Sequence, residues 1–138
     1  MRILVVTAFE NSKAVFENLA LGYIQRTQTL FKPELKQVKA ERLLPVSEGY
    51  FRILLDEKGL ELDSIAFSKN IQRLMDQSKK IAFLIGPPEG HSLKTRQKAD
   101  WVWSLSKLTL PHQLALCVLA EQIYRAGEIA RKGPYHRV

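Results

Sequence analysis

Two short, unbroken apolar runs constrain the fold of this chain more than any other feature. They are Ile3 to Thr7 and Ile81 to Ile85, and both are rich in β-branched and large apolar residues. Neither run alternates apolar and polar residues, as a strand with one solvent-exposed face does, so we predict strands that are buried on both faces. A helical pattern follows each run. Strands that alternate with helices predict an α/β fold with a mostly parallel sheet.

The other elements follow from apolar periodicity and from turn residues. Helices are predicted over about 12–30, with Ser12 as the N-cap, and over 64–77, 93–100 and 111–131. Further strands are predicted over 35–40, 50–55 and 101–105, with 41–49 as a connection and 56–59 as a turn. The first helix should face the core through Val15, Leu19, Tyr23 and Ile24. Trp101 and Trp103 alternate on the last strand and should pack together in the core.

Length and charge narrow the class of protein. At 138 residues we expect one domain over 1–138. The sequence contains no apolar run long enough for a membrane span and no pattern typical of a signal peptide, so we expect a cytoplasmic protein with no membrane partner. Cys117 is the single cysteine, which argues against a metal site. The formal charge of +7 favours a polyanionic partner such as nucleic acid.

The helix that follows Pro111 is apolar on nearly every side. Leu114, Leu116, Cys117, Leu119 and Ile123 are spread around its circumference. A helix on one face of a small sheet needs a narrower apolar stripe. The excess predicts a homodimer through this helix, and the alternative is a helix that is covered wholly by its own domain.

Three predicted strand ends are chemically distinctive, and ligands bind beyond the carboxyl ends of parallel strands. The first is Leu55-Asp56. The second, Gly86 to Gly90, could bring backbone close to a ligand or could be a tight turn. The third, Leu105 to Leu110, could offer backbone groups and leucine side chains to a nucleoside, or Ser106 or Thr109 could cap the next helix.

The chain ends in Tyr135, His136 and Arg137, beyond a helix stop at Gly133-Pro134. A histidine near a terminus is usually solvated and inert, and adjacent tyrosine and arginine change this little. Because the tail lies beyond the stop, we expect few core contacts to depend on it.

Several motifs in one order resemble the RlmH family of the SPOUT superfamily of knotted methyltransferases. They are Leu55-Asp-Glu-Lys-Gly59, Ile85-Gly-Pro-Pro-Glu-Gly90, Ser104-Leu-Ser-Lys-Leu-Thr-Leu-Pro-His112, Glu121-Gln-Ile-Tyr-Arg-Ala126 and Tyr135-His-Arg137. The resemblance is clear from Leu54 to Arg137 and weak before it.

The resemblance implies a SPOUT-type fold with a deep C-terminal trefoil knot, a homodimer and S-adenosylmethionine as the cofactor. The implied activity is methylation of N3 of a pseudouridine in large-subunit (23S) ribosomal RNA, with the RNA within the ribosome. His136 would be the general base, Tyr135 would orient the target base or stack on it, and Arg137 would hold a phosphate. The cofactor residues would be Leu55, Gly86, Leu105, Ser106, Lys107, Leu108, Thr109 and Leu110.

Three positions depart from the family pattern. Pro87 replaces a glycine, Leu116 replaces an arginine, and the region between the second and third strands is short and lacks a predicted helix. The alternatives are therefore a non-catalytic or substrate-shifted relative that binds RNA or the ribosome, and an unrelated nucleotide-binding α/β domain, which would have no reason to keep the tail.

Overall fold

The computed structural model describes residues 3–8, 13–27 and 31–137. Strands and helices alternate within those ranges. The strands are β1 (Ile3–Thr7), β2 (Pro33–Gln37), β3 (Phe51–Glu61), β4 (Ile81–Ile85) and β5 (Trp101–Ser104). The helices are α1 (Ala14–Arg26), α2 (Leu43–Val46), which follows a 3₁₀ turn at Ala40–Arg42, α3 (Ser64–Asp76), α4 (Leu93–Gln97) and α5 (His112–Ala130).

The strands form one sheet in the order β2-β1-β4-β3-β5, and each neighbouring pair is parallel. The predicted α/β fold with a parallel sheet is confirmed. Each residue of β1 and β4 is buried, as their apolar sequences predict. Leu55 of β3 pairs with Ile85 at the end of β4 and with Trp103 near the end of β5, so the three distinctive segments lie at one edge of the sheet.

Side chains that alternate along the strands build two cores. One core packs Ile3, Ile53 and Phe83 with the buried faces of α1, α3 and α5. The other packs Leu4, Leu54 and Leu84 against Leu43 of α2 and Ala99 after α4. Trp103 belongs to the first core, stacked at 5.3 Å from Trp101, so the predicted core role of the tryptophan pair is confirmed.

The predicted core face of α1 was wrong in part. Val15 and Leu19 are 69% and 51% exposed, whereas Ala20 and Ile24 are buried. Apolar residues lie on two flanks of this helix, and the pattern alone did not show which flank packs on the sheet. Lys13 is the N-cap; the predicted cap, Ser12, lies outside the described residues.

The segment between β2 and β3 also differs from the prediction. It contains α2, which includes Pro45 at its third position. Proline is tolerated in the first turn of a helix, because the N–H that it lacks would have no partner there. Leu43 of α2 is fully buried, so this short helix covers the second core.

The predicted turn at 56–59 is instead part of β3, which runs for 11 residues. Its register against β5 shifts between Leu55 and Leu60, which marks a bulge. A side chain at Gly59 would lie 2.8 Å from backbone atoms of Val102 and Trp103. The absence of a side chain at Gly59 therefore lets the chain pass the bulge and pair with β5 again.

Helix α5 finds its apolar partners within the chain. It packs against both α1 and α3, and Leu116, Cys117, Leu119 and Ile123 are buried. The breadth of its apolar surface is thus explained by a position between two helices and the sheet, and it no longer argues for a dimer. Among the described residues, no helix combines the length and apolarity that crossing a membrane requires.

Candidate functional site

A cavity of about 350 Å³ opens at the bulge of β3 and beyond the carboxyl ends of β4 and β5. Its walls come from the bulge of β3, the β4–α4 loop, the start of α4, the β5–α5 loop and the first turn of α5. The lining residues are Leu55, Asp56, Glu57, Lys58, Ile85, Gly86, Pro87, Pro88, Glu89, Gly90, His91, Arg96, Leu105, Ser106, Leu108, Thr109, Leu110, His112 and Ala115. Seven of the eight residues that the sequence nominated for the cofactor are among them.

Lys107 is the exception. Its side chain is 84% exposed and its Nζ lies 3.7 Å from Glu61 Oε1. The rest of the β5–α5 loop is shaped by short bonds. Ser104 Oγ donates to the Ser106 carbonyl at 2.8 Å, and the Leu108 N–H donates to Ser106 Oγ at 2.9 Å. Ser106 therefore stabilises the loop conformation itself and does not cap α5, whose N-cap is Pro111.

The β4–α4 loop turns tightly. The Gly90 N–H donates to the Pro87 carbonyl at 2.8 Å, and Gly90 has a φ of 90°, a conformation that favours glycine. Gly86 is buried, and a side chain there would lie 2.9 Å from His91 Nδ1. The space beside Gly86 is thus filled by the imidazole ring. The group that lies close to this glycine is therefore His91 of the same loop.

The His91 ring is held in its neutral form. Its two ring nitrogens are buried. Burial lowers the pKa of His91 to about 4, and the nearby Arg96 acts in the same direction, while Asp56 and the backbone at Leu84 and Leu55 act against it. The ring is therefore an uncharged part of the cavity wall near neutral pH.

Asp56 and Arg96 form an ion pair across the cavity wall, between the bulge of β3 and α4. The other Asp56 carboxylate oxygen accepts the Lys58 N–H at 2.8 Å. Burial opposes ionisation of Asp56, but the Lys58 N–H and the Arg96 guanidinium outweigh it and lower the pKa of Asp56. Glu57 accepts a 2.6 Å bond from the Thr109 hydroxyl and so joins the bulge to the β5–α5 loop.

The C-terminal tail packs back on α5. The Tyr135 hydroxyl donates to Glu121 at 2.7 Å, and its ring meets Tyr124 edge-on at 4.7 Å. The Arg125 guanidinium lies over the Tyr135 ring, pairs with Glu121 at 2.8 Å and lies 3.0 Å from His136 Nδ1. The tail thus makes specific contacts with α5, and the residues that it contacts, Glu121, Tyr124 and Arg125, lie outside the two cores.

The contacts among Glu121, Arg125 and Tyr135 also shift the pKa values of these groups. Burial opposes the charge of Glu121, but hydrogen bonds from Arg125 and Tyr135 lower its pKa. Burial and then the Glu121 carboxylate raise the pKa of Tyr135 above its usual range. The Tyr135 hydroxyl therefore stays protonated and acts as a donor.

Within one chain, the tail and the cavity do not meet. Ala115 lines the cavity, whereas the tail is anchored at Glu121 and Arg125, and no described tail residue lines the cavity. At 1.5 Å per residue, Glu121 and Arg125 lie about 9 and 15 Å along the helix from Ala115. The two groups of nominated residues thus occupy separate places on the described part of the chain.

Sequence reasoning missed three charged or polar parts of the cavity: the Asp56 to Arg96 pair, the Thr109 to Glu57 bond, and His91. The first two join segments that lie far apart along the chain, and His91 turns its ring back under its own loop. No local sequence pattern indicates such contacts. The available signal was the position of Asp56 at a distinctive strand end.

Comparison with known proteins gives a consistent picture. A family model described as predicted SPOUT methyltransferase matches residues 1–136. Curated relatives named ribosomal RNA large subunit methyltransferase H include those of Hydrogenovibrio crunogenus, Coxiella burnetii and Thermus thermophilus. The first is 42% identical over 105 residues, which is 75% of this chain and 67% of the relative. The second is 36% identical over 137 residues, 99% of this chain and 79% of the relative. The third is 43% identical over 99 residues, 72% of this chain and 71% of the relative.

Solved structures share the fold at low sequence identity. A methylase family protein of Haemophilus influenzae Rd KW20 superposes with a TM-score of 0.58 at 9% identity, over 95% of this chain and 66% of that one. A methylase family protein of Neisseria gonorrhoeae gives 0.56 at 9% identity, over 99% and 85%. At such low identities the similarity shows only that the fold is shared.

Proposed function

The chain belongs to the SPOUT methyltransferases and, among them, to the family of ribosomal RNA large subunit methyltransferase H, and on that premise we propose that it methylates large-subunit ribosomal RNA with S-adenosylmethionine as the methyl donor. The observation that carries the proposal is the cavity at the carboxyl edge of the sheet, whose walls are the loops that the family motifs predict. The target that the family implies is N3 of a pseudouridine.

The cavity suits this methyl donor in size and chemistry. Its volume of about 350 Å³ lies within the usual range for small-molecule sites. Leu55, Leu108 and Leu110 offer apolar surface to a purine, and the backbone of the β5–α5 loop offers polar groups to its edge. Arg96 and the carboxylates of the wall suit an amino-acid end that carries both charges. Bound there, the donor supplies an electrophilic sulfonium methyl group.

The protein would contribute chiefly alignment, because holding two reactants in line accounts for a large part of such a barrier. We assign His136 as the base that takes the proton from N3, Tyr135 as the residue that orients the base and Arg137 as a phosphate contact. Arg125 lies 3.0 Å from His136 Nδ1, so this contact would have to open before that nitrogen could accept the proton. Tyr135 remains protonated and serves as a donor.

We further propose a homodimer in which the tail of one copy meets the cavity of the other. Two observations support it. The tail is anchored about 9 to 15 Å along α5 from the cavity of its own chain, and the packed helices α1 and α5 carry exposed apolar side chains, Val15 and Leu19 on α1 and Leu114 on α5. We propose these exposed side chains as partner contacts in place of Leu116 and Cys117, which are buried.

Mixing two inactive variants tests the shared site. Gly86→Val disturbs the cavity and His136→Ala removes the proposed base. Each should be inactive alone, and a mixture refolded together should regain methyl transfer, because a mixed dimer holds one cavity and one tail that are both intact. Light scattering should give twice the 15.8 kDa of the chain. A monomer at micromolar concentration, or a mixture that stays inactive, would contradict the dimer.

We propose one domain over 1–138, a deep trefoil knot in the C-terminal region, a cytoplasmic location and ribosomal RNA within the ribosome as the substrate. Family membership supports each of them. A non-catalytic relative is disfavoured by the tail, since Tyr135 to Arg137 retain the full motif.

Mass spectrometry of ribosomal RNA tests the function directly. A strain that lacks the protein should lose one methyl group on a pseudouridine of the large subunit, and the purified protein should restore it on ribosomes from that strain. His136→Ala should slow this transfer by roughly 10²-fold or more. An unchanged methylation pattern in the deletion strain would refute the proposed function.

A further inference from the structure

The ion pair between Asp56 and Arg96 forms part of the cavity wall. The inference here rests on the proposed function. We propose that the Arg96 guanidinium binds the α-carboxylate of the methyl donor and that Asp56 positions Arg96 for this contact.

Arg96 has donors to offer. A guanidinium carries five N–H groups, and among the described residues it donates only to Asp56, through Nη2. Its side chain is 40% exposed at the cavity, whereas the Asp56 side chain is 11% exposed. The Asp56 carboxylate is thus held within the wall, whereas the Arg96 side chain remains partly exposed.

The position of Arg96 is prepared before a ligand arrives. Asp56 is itself held by the Lys58 N–H at 2.8 Å, and α4 is capped by Ser92, whose side chain accepts the Thr95 N–H at 3.2 Å. An arginine that is already held loses less side-chain freedom when it binds an anion. A planar guanidinium also matches a carboxylate through two parallel hydrogen bonds, which a lysine cannot do.

The chemistry of the ligand selects this residue. The α-carboxylate is the only anionic group of S-adenosylmethionine, while its ammonium and sulfonium groups are cationic. Glu57 and Glu89 line the same cavity and balance the cations. Lys58 also lines it, but it lies on the exposed bulge and offers a single point charge. His91 is neutral near pH 7, so Arg96 is the donor best suited to the anion.

Two ligands that differ only in the amino-acid end test the proposal by calorimetry. S-Adenosylhomocysteine carries the α-carboxylate, and 5′-methylthioadenosine lacks the whole amino-acid end. Arg96→Gln should weaken the binding of S-adenosylhomocysteine by about tenfold, as expected for loss of a charge-assisted bond at a partly exposed site. The affinity for 5′-methylthioadenosine should change by less than about twofold, since it offers Arg96 no anion.

Two further variants define the roles. Arg73→Gln, an exposed arginine of α3 on the other face of the sheet, is the matched control and should bind both ligands as the parent does. Asp56→Asn keeps an oxygen for the Lys58 N–H but removes the charge that holds Arg96. It should weaken S-adenosylhomocysteine alone, by less than Arg96→Gln does. Thermal melting checks that each variant folds.

Equal losses for the two ligands in Arg96→Gln would overturn the inference, since they would mean that the cavity itself has changed. Unchanged binding of S-adenosylhomocysteine in that variant would overturn it as well. If the parent protein binds neither ligand, the proposed function fails, and this inference fails with it. These outcomes are distinguishable, because the parent titrations alone decide the last one.

Discussion

Replacing Gly59 with alanine should destabilise the protein by forcing apart two strands of the sheet. The added carbon would lie 2.8 Å from the Val102 carbonyl carbon and oxygen and 2.8 Å from the Trp103 carbonyl carbon. All three atoms belong to the backbone of β5. They cannot rotate away as the end of a side chain can, so β3 would have to part from β5.

The size of the effect follows from that geometry. Overpacking a well-packed position costs about 1–3 kcal/mol, and three backbone contacts place Gly59→Ala near the upper end, at about 3 kcal/mol. In a chain of 138 residues, each kcal/mol of unfolding free energy corresponds to roughly 3 °C in Tm. The variant should therefore melt about 9 °C below the parent.

Urea denaturation and thermal melting, followed by circular dichroism, measure this loss. Gly22→Ala is the matched control, because a side chain at Gly22 in α1 would meet nothing within 4 Å. Alanine replaces glycine in a helix with a gain of about 0.8 kcal/mol, so this variant should be slightly more stable than the parent. If Gly59→Ala unfolds at the urea concentration of the parent, the close approach of β3 to β5 is not a constraint and the reasoning is wrong.

Two further outcomes follow from the contacts. Ending the chain after Gly133 removes the Tyr135 bond to Glu121 and should lower the unfolding free energy by about 1 kcal/mol; a urea midpoint equal to that of the parent would show that the tail adds nothing to folding. The pKa of His91, lowered from 6.5 to about 4 in the folded protein, means that between those two pH values the unfolded chain binds a proton that the folded chain does not. Stability should therefore fall as pH falls through that window, by up to about 1.4 kcal/mol per unit. His91→Gln should reduce this slope, and identical slopes for parent and variant in urea titrations would contradict the assignment.

The sheet was predictable because its central strands carry their own signal. β1 and β4 are uniformly apolar, and only a position buried on both faces accounts for such a run. The phase of α1 was not predictable in the same way, because Val15 and Leu19 form as good a stripe as Ala20 and Ile24. Which stripe is buried depends on where α5 lies, and that is a tertiary property.

The cavity was predictable in outline but not in its polar wall. Strand ends at one edge of a parallel sheet must lie close together, and this brought Leu55, Gly86 and Leu105 to one place. The contact of Asp56 with Arg96 depends on the bulge of β3. The turn that the sequence predicted from Asp56 to Gly59 would have directed the Asp56 side chain elsewhere. Pairing with β5 beyond Gly59 outweighed the local preference of these residues for a turn.

The strand order has a consequence for how the chain reaches its fold. β1 lies between β2 and β4, and Ile3 is paired across the ladder with Ile81. During synthesis the first strand can therefore gain one neighbour early but must wait for most of the chain before its other edge is closed. Sheets built from such distant pairings fold slowly, and an open apolar edge favours association with other chains in the meantime. We expect refolding to be slow and sensitive to protein concentration, with β4 as the strand whose arrival ends that exposure.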